Sequence, residues 1–149
     1  MEIFQIDDKG NLFISPDLDE WQPIKDRAIT VVFDLDDDLD VGVPEIPGQL
    51  LYLYFPFEDE ENLPDKQRLH AIARLGARLI QEGNPVLVHC GMGHNRSALL
   101  AGVILTYLGM SGADAVTLIR EKRKGALYNK TFAAYVESLP SAAQADWQI

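Results

Sequence analysis

Apolar residues along this chain recur with two different periods. Compact runs at residues 11–15, 28–35, 50–55 and 85–89, such as Ile29-Thr30-Val31-Val32-Phe33 and Val86-Leu87-Val88, predict strands, those at 28–35 and 85–89 buried. Elsewhere the spacing is helical. From Pro64, suited to a first helical turn, to Gln81, the residues Leu69, Ile72, Ala73, Gly76, Leu79 and Ile80 keep one face apolar or small, and Gly83 ends the segment. Residues 97–107 are mostly apolar, predicting a helix inside the domain. Residues 112–124 turn Ala115, Val116, Leu118 and Ile119 inward, and 130–139 align Phe132, Tyr135 and Val136. Leu18, Trp21 and Ile24 give a helix-like turn within 16–26, with Trp21 placed over a sheet face. Residues 42–49, with two prolines and two glycines, read as a loop. Strands alternating with helices define an α/β class: a single domain over 1–149, with a central, mostly parallel sheet flanked by helices. Its ligand site is expected beyond the carboxyl ends of the strands.

Composition narrows the setting. A chain of 149 residues with 47% hydrophobic content is enough for one real core. It has no long apolar span, and Met1–Asp8 lacks the basic start of a secretory signal. One cysteine cannot form an internal disulfide, so a reducing cytoplasm is the expected compartment. The net charge of −10 is unevenly spread: residues 1–65 hold 18 acids and 3 bases, residues 66–149 hold 5 acids and 10 bases. This field argues against general binding to nucleic acid or anionic membrane, and the chain is read as a monomer.

The chemistry is concentrated in His89-Cys90-Gly91-Met92-Gly93-His94-Asn95-Arg96-Ser97, where a strand delivers the only cysteine to a short loop closed by arginine and a helix. Five residues separate Cys90 from Arg96. Successive backbone N–H groups in such a loop form an anion nest, and the helix start adds its positive end. Arg96 supplies a forked cation able to grip two phosphate oxygens. The nest predicts binding of a tetrahedral dianion, foremost a phosphate monoester, with Gly91, Met92, Gly93, His94, Asn95 and Arg96 as the phosphate cradle. Gly91 and Gly93 are expected to allow the backbone angles and close backbone approach of the bowl, and Met92, His94 and Asn95 to direct their side chains outward or along the rim. Cys90 is the candidate nucleophile, since a thiolate attacks where a thiol does not. Ser97 can donate its hydroxyl to the sulfur, and His89 is read as a hydrogen-bonding buttress of the loop.

These nine residues resemble the active-site signature of the cysteine-dependent protein tyrosine phosphatase superfamily, and the short chain is most similar to compact dual-specificity phosphatases. The resemblance runs from about residue 11 to about 139. It implies a cysteinyl-phosphate formed on Cys90, phosphate held by Arg96, breakdown aided by Ser97, and no metal or organic cofactor. It also implies an aspartate on a loop about thirty residues before the cysteine, which protonates the leaving oxygen. Asp59 lies 31 positions before Cys90 and is the choice within Glu58–Asp65, where Glu58, Glu60, Glu61 and Asp65 carry similar chemistry. The implied substrate is a phosphorylated protein, on phosphotyrosine and also phosphoserine or phosphothreonine, or a small phosphate monoester. A weakly catalytic phosphate-binding module and a non-protein phosphate substrate are the alternatives. Asn129 and Phe132 resemble family positions that pack behind the site and are taken as structural.

Other features have plainer readings. Arg120, Lys122, Arg123 and Lys124 read as a solvated helix end, with recognition of an acidic substrate as the second reading. The run Asp36-Asp37-Asp38-Leu39-Asp40 does not match a calcium-loop spacing, and His70, His89 and His94 do not form a zinc pattern. His70 is expected on a helix surface.

Overall fold

The computed structural model describes residues 2–142. Five strands and five helices are arranged in the order β1 (Phe4–Gln5), β2 (Leu12–Ser15), α1 (Gln22–Asp26), β3 (Val31–Asp34), β4 (Leu51–Tyr54), α2 (Lys66–Gln81), β5 (Val86–His89), α3 (Arg96–Tyr107), α4 (Gly112–Lys122) and α5 (Lys130–Ser138). The sheet order is β1-β2-β5-β3-β4. The short β1 runs antiparallel to β2, and the other neighbours are all parallel. β2, β3 and β5 are buried at every position, as a parallel sheet covered on both faces requires. The expected mostly parallel α/β sheet is therefore present, with β5 at its centre. β1 escaped the pattern because two residues carry no period.

Alternation along the strands divides the core. Ile14, Phe33 and Val88 face the helical layer, while Phe13, Val32 and Leu87 face a smaller cluster under α1 with Leu18, Ile24 and Ile29. α3 lies at the centre of the helical layer and is buried from Ser97 to Thr106. Each fully buried leucine or isoleucine there contributes about 1.5–3 kcal/mol. α2, α4 and α5 pack around it. Gly76 permits the α2–α3 approach: a Cβ there would lie 3.0 Å from Ile104 Cδ1 and 3.2 Å from Phe33 Cε2.

Three expectations change in detail. Trp21 covers the smaller cluster but is itself only half buried, with Nε1 donating to the Val41 carbonyl at 2.9 Å. α2 starts at Lys66 and not at Pro64, because the Asp65 carboxylate accepts from the Arg68 amide at 3.2 Å and caps the helix. His70 is not a free surface residue. Its Nδ1 and Nε2 each lie 2.6 Å from a hydroxyl, of Tyr107 and Tyr135 respectively, so it ties α2 to α3 and α5. Burial, then the charges of Arg74 and Lys66, hold its pKa below the ordinary histidine value. No helix among the described residues is long and apolar enough to cross a membrane.

Candidate active site

Four parallel strands end on the same side of the sheet, and the segments leaving them converge at one place. Asp17 comes after β2, Asp36 and Asp37 after β3, Phe57 and Asp59 after β4, and Cys90 after β5. The loop beyond Cys90 is shaped by what holds its carbonyls. Gly91 O accepts from the Asp17 amide at 3.4 Å, Met92 O and Gly93 O accept from the Arg123 guanidinium at 3.3 and 3.2 Å, and His94 O accepts from the Leu127 amide at 2.9 Å. A trans peptide sets its C=O and the next N–H in opposite directions. Four successive carbonyls are thus held by groups outside the loop, which leaves the adjoining N–H groups free of them, and one of these, that of Gly93, meets the sulfur.

The Gly93 amide donates to Cys90 Sγ at 3.2 Å, and Ser97 Oγ lies 3.4 Å from the same sulfur. Cys90 and Ser97 are both buried at the base of this bowl, Ser97 within the first turn of α3, which starts at Arg96 with Asn95 as its cap residue. Gly93 has φ +70°, and a Cβ there would sit 2.9 Å from Pro16 N and Ser15 C, so both backbone angle and space demand glycine. Gly91 serves the close approach and not the backbone angle: its φ is not in the left-handed region, and Arg96 Nη2 lies 3.2 Å from where a Cβ would be.

Arg96 is largely buried and already engaged. Its Nη1 lies 3.3 Å from Asp36 Oδ1 and 3.7 Å from Asp37 Oδ1, and donates to Phe57 O at 3.3 Å. Asp36 in turn hydrogen-bonds the Asp17 carboxyl. That bond, then burial and the repulsion of Asp36, pushes the Asp17 pKa up to about 6, while the same bond holds Asp36 low.

Asp59 is held by two amide side chains. Asn95 Nδ2 donates to its Oδ2 at 2.9 Å and Asn129 Nδ2 to its Oδ1 at 2.7 Å; Asn129 also donates to Glu60 O at 2.9 Å. Asn95 Oδ1 accepts from the Asn129 amide at 2.9 Å, and Asn129 Oδ1 caps α5. The expectation that Asn95 directs its side chain outward is therefore corrected: it is 2% exposed. Asparagine is a preferred helix cap, yet Asn95 makes no side-chain cap bond to α3 and spends its amide on Asp59 instead. Asn129, taken as structural, reaches the same carboxylate. Arg123, taken as part of a solvated helix end, braces the loop and stacks on Phe4, its Cζ 4.4 Å from the ring centre. Arg120 donates to the carbonyls of Ala126 and Leu127. Chemical type alone marked these residues as donors, and nothing local told where they pointed.

His89 is fully buried beneath the loop, with Nε2 2.6 Å from Asp40 Oδ2 and 3.6 Å from Asp34 Oδ1. Tyr52 donates its hydroxyl to Asp34 and lies 3.1 Å from Asp40 Oδ2. Burial raises the pKa of Asp34, opposed by the Tyr52 bond. Asp34, Asp40 and His89 bring ligand-type atoms within 4.8 Å of one another. His89 Nε2, Asp40, Asp34 and Tyr52 thus bond to one another as a buried group beneath the loop, while among the described residues His89 Nδ1 has no hydrogen-bond partner and no hydrogen bond joins the imidazole to the loop itself.

This architecture defines a cysteine-dependent phosphatase domain, and the profile of the family described as dual specificity phosphatase, catalytic domain, matches residues 14–139: the chain belongs to that family. Its relatives are varied. Protein tyrosine phosphatase type IVA 3 of Mus musculus is 35% identical over 77 residues, which are 51% of this chain and 44% of that protein, and its Homo sapiens counterpart is 34% identical over the same length. The match thus spans less than half the length of these relatives. Among solved structures, human DUSP28 has a TM-score of 0.77 at 19% identity, covering 91% of this chain and 90% of its own. A mouse dual-specificity phosphatase complexed with zinc tungstate also reaches 0.77, at 22% identity, covering 97% and 89%. PTPMT1 in complex with PI(5)P gives 0.77 at 16% identity, covering 91% and 92%.

Proposed function

We propose that this protein hydrolyses phosphate monoesters, on phosphotyrosine and on phosphoserine or phosphothreonine, through a cysteinyl-phosphate intermediate. The reading is carried by one observation: the Cys90 sulfur sits between the Gly93 amide at 3.2 Å and the Ser97 hydroxyl at 3.4 Å, at the base of a loop whose carbonyls from Gly91 to His94 are held by groups outside it. The Cys90 thiolate attacks phosphorus, the ester P–O bond breaks, and Asp59 gives its proton to the leaving oxygen. Water then attacks, passing a proton to Asp59; the S–P bond breaks and the Ser97 hydroxyl donates to the departing thiolate. Loop amides and Arg96 hold the equatorial oxygens, where charge builds up in the transition state. Each step is complete without metal or cofactor. The reduced thiol suits the cytoplasm, and a monomer suffices.

The test is release of phosphate from p-nitrophenyl phosphate, abolished in Cys90→Ser and sensitive to vanadate. A second reading, a phosphate-binding module without turnover, is favoured by the engagement of both Asp59 oxygens with amides. It predicts vanadate binding with no Cys90-dependent phosphate release.

A further inference from the structure

The mouth of the cradle has two unlike walls. On one side stand Asp17, Asp36 and Asp37, delivered by the ends of β2 and β3. They are built in place: the buried Asp34 carboxylate accepts the Asp36 amide at 3.0 Å, and the Tyr54 hydroxyl donates to the Asp37 carbonyl at 2.5 Å. Asp36 and Asp37 both face the Arg96 guanidinium, at 3.3 and 3.7 Å. Away from the contacts to Arg96, the rim carries Met92 and Tyr128, each 65% exposed, with His94 packed against the Tyr128 ring. Burial, then the neighbouring Arg123, lowers the His94 pKa, and Arg123 itself is spent on loop carbonyls. One wall therefore repels anions and the other offers mainly apolar surface.

We propose that Asp17, Asp36 and Asp37 set the substrate class of this site: peptides whose phosphorylated residue is flanked by lysine or arginine, in preference to acid-flanked peptides. This rests on the reading of the Cys90 loop as a phosphatase site. The dianion being cleaved sits in the nest and on Arg96, where amides outweigh the carboxylates. A second charge on the substrate lies outside the nest and meets the acidic wall directly. For an exposed flanking charge, with an effective dielectric between about 40 and that of bulk water, a carboxylate about 6 Å away changes affinity by roughly three- to tenfold for each unit of flanking charge, favourable for a cation and unfavourable for an anion. The contrast between oppositely charged flanks is thus about tenfold or more for one carboxylate, and it weakens with salt.

The experiment compares two phosphotyrosine peptides of one length, flanked by lysine or by glutamate, with p-nitrophenyl phosphate as the flank-free control. The wild type is expected to show a kcat/KM ratio of about ten or more for lysine over glutamate at low salt, carried by KM and shrinking in 0.5 M NaCl as screening requires. Asp37→Asn, whose side chain is largely exposed, and Asp17→Asn should each lower that ratio by about threefold or more. A purely structural role would slow both peptides equally and leave the ratio alone. Equal use of the two peptides by the wild type, preference for the glutamate peptide or for a phosphoinositide, or a ratio unmoved in both variants overturns the proposal. Absence of p-nitrophenyl phosphate turnover defeats the phosphatase reading instead. The same ratio is then measured as peptide affinity, and equal affinity still defeats the acidic wall.

Discussion

Replacing Asn95 with alanine separates the placing of Asp59 from the rest of the chemistry. The substitution removes one of the two amides on the Asp59 carboxylate and leaves the Asn129 amide hydrogen without its acceptor. A hydrogen bond to a charged group contributes about 1.5–3 kcal/mol, and an abandoned buried donor costs about 1–3 kcal/mol. Asn129 still reaches Oδ1 at 2.7 Å, so the carboxylate is loosened and not released. Losing about 1.4–2.8 kcal/mol from the docked position corresponds to a fall of about ten- to a hundredfold in the step that needs it. That step is protonation of the leaving oxygen, so the loss depends on the leaving group. Nitrophenolate departs readily without a proton, whereas phenolate from phenyl phosphate does not. The expected outcome for Asn95→Ala is therefore a kcat on phenyl phosphate reduced about ten- to a hundredfold, with much less change on p-nitrophenyl phosphate. Vanadate affinity, which reports the loop itself, should stay within about threefold of wild type. Steady-state kinetics with both esters and a vanadate titration make the comparison. Equal losses on both esters, or a large loss of vanadate affinity, would show that Asn95 maintains the loop and not the acid, and would refute the reasoning.

Other contacts can be tested in the same way. Gly93→Ala forces a φ of +70° on alanine and drives a Cβ to 2.9 Å from the β2–loop backbone. It should cost about 1–3 kcal/mol of stability in thermal melts and abolish vanadate binding. Arg123→Met removes the guanidinium that holds the Met92 and Gly93 carbonyls outward, and should raise KM for small phosphate esters and weaken vanadate binding with the melting temperature little changed. Asp17 has a folded pKa raised to about 6 from 3.8. Its contribution is favourable below its unfolded value and is lost as pH rises through about 6. Asp17→Asn should therefore stabilise the protein relative to wild type at pH 7–8, the difference closing toward pH 4 in parallel urea titrations. His70 runs the other way. With its folded pKa depressed, its contribution is present above the ordinary histidine value and is lost as pH falls through the folded pKa. His70→Gln should accordingly lose most stability against wild type near pH 7.5 and less on acidification.

What the chain alone determined is whatever adjacent residues enforce on one another. The periods of apolar positions placed β2 to β5 and α2 to α5 to within a few residues, because side-chain burial alternates with backbone geometry. The cradle was legible for the same reason: Cys90, the glycines, Arg96 and Ser97 lie within one strand-loop-helix turn, and their spacing fixes which groups can face one anion. Asp59 was the choice implied by the family resemblance, 31 positions before Cys90, among neighbours of like chemistry; the sequence could not show how it is held. The partners of that machinery came from elsewhere in the sequence. Asn129 meets Asp59 across 70 residues, Arg123 meets Gly93 across 30, and Asp40 meets His89 across 49. Asparagine, arginine and aspartate are equally at home in water. Only the packing of α3, α4 and α5 and the convergence of the parallel strand ends turned Asn95 from a helix cap into a tether, Arg123 from a solvated charge into a brace, and an acidic run into one wall of the site.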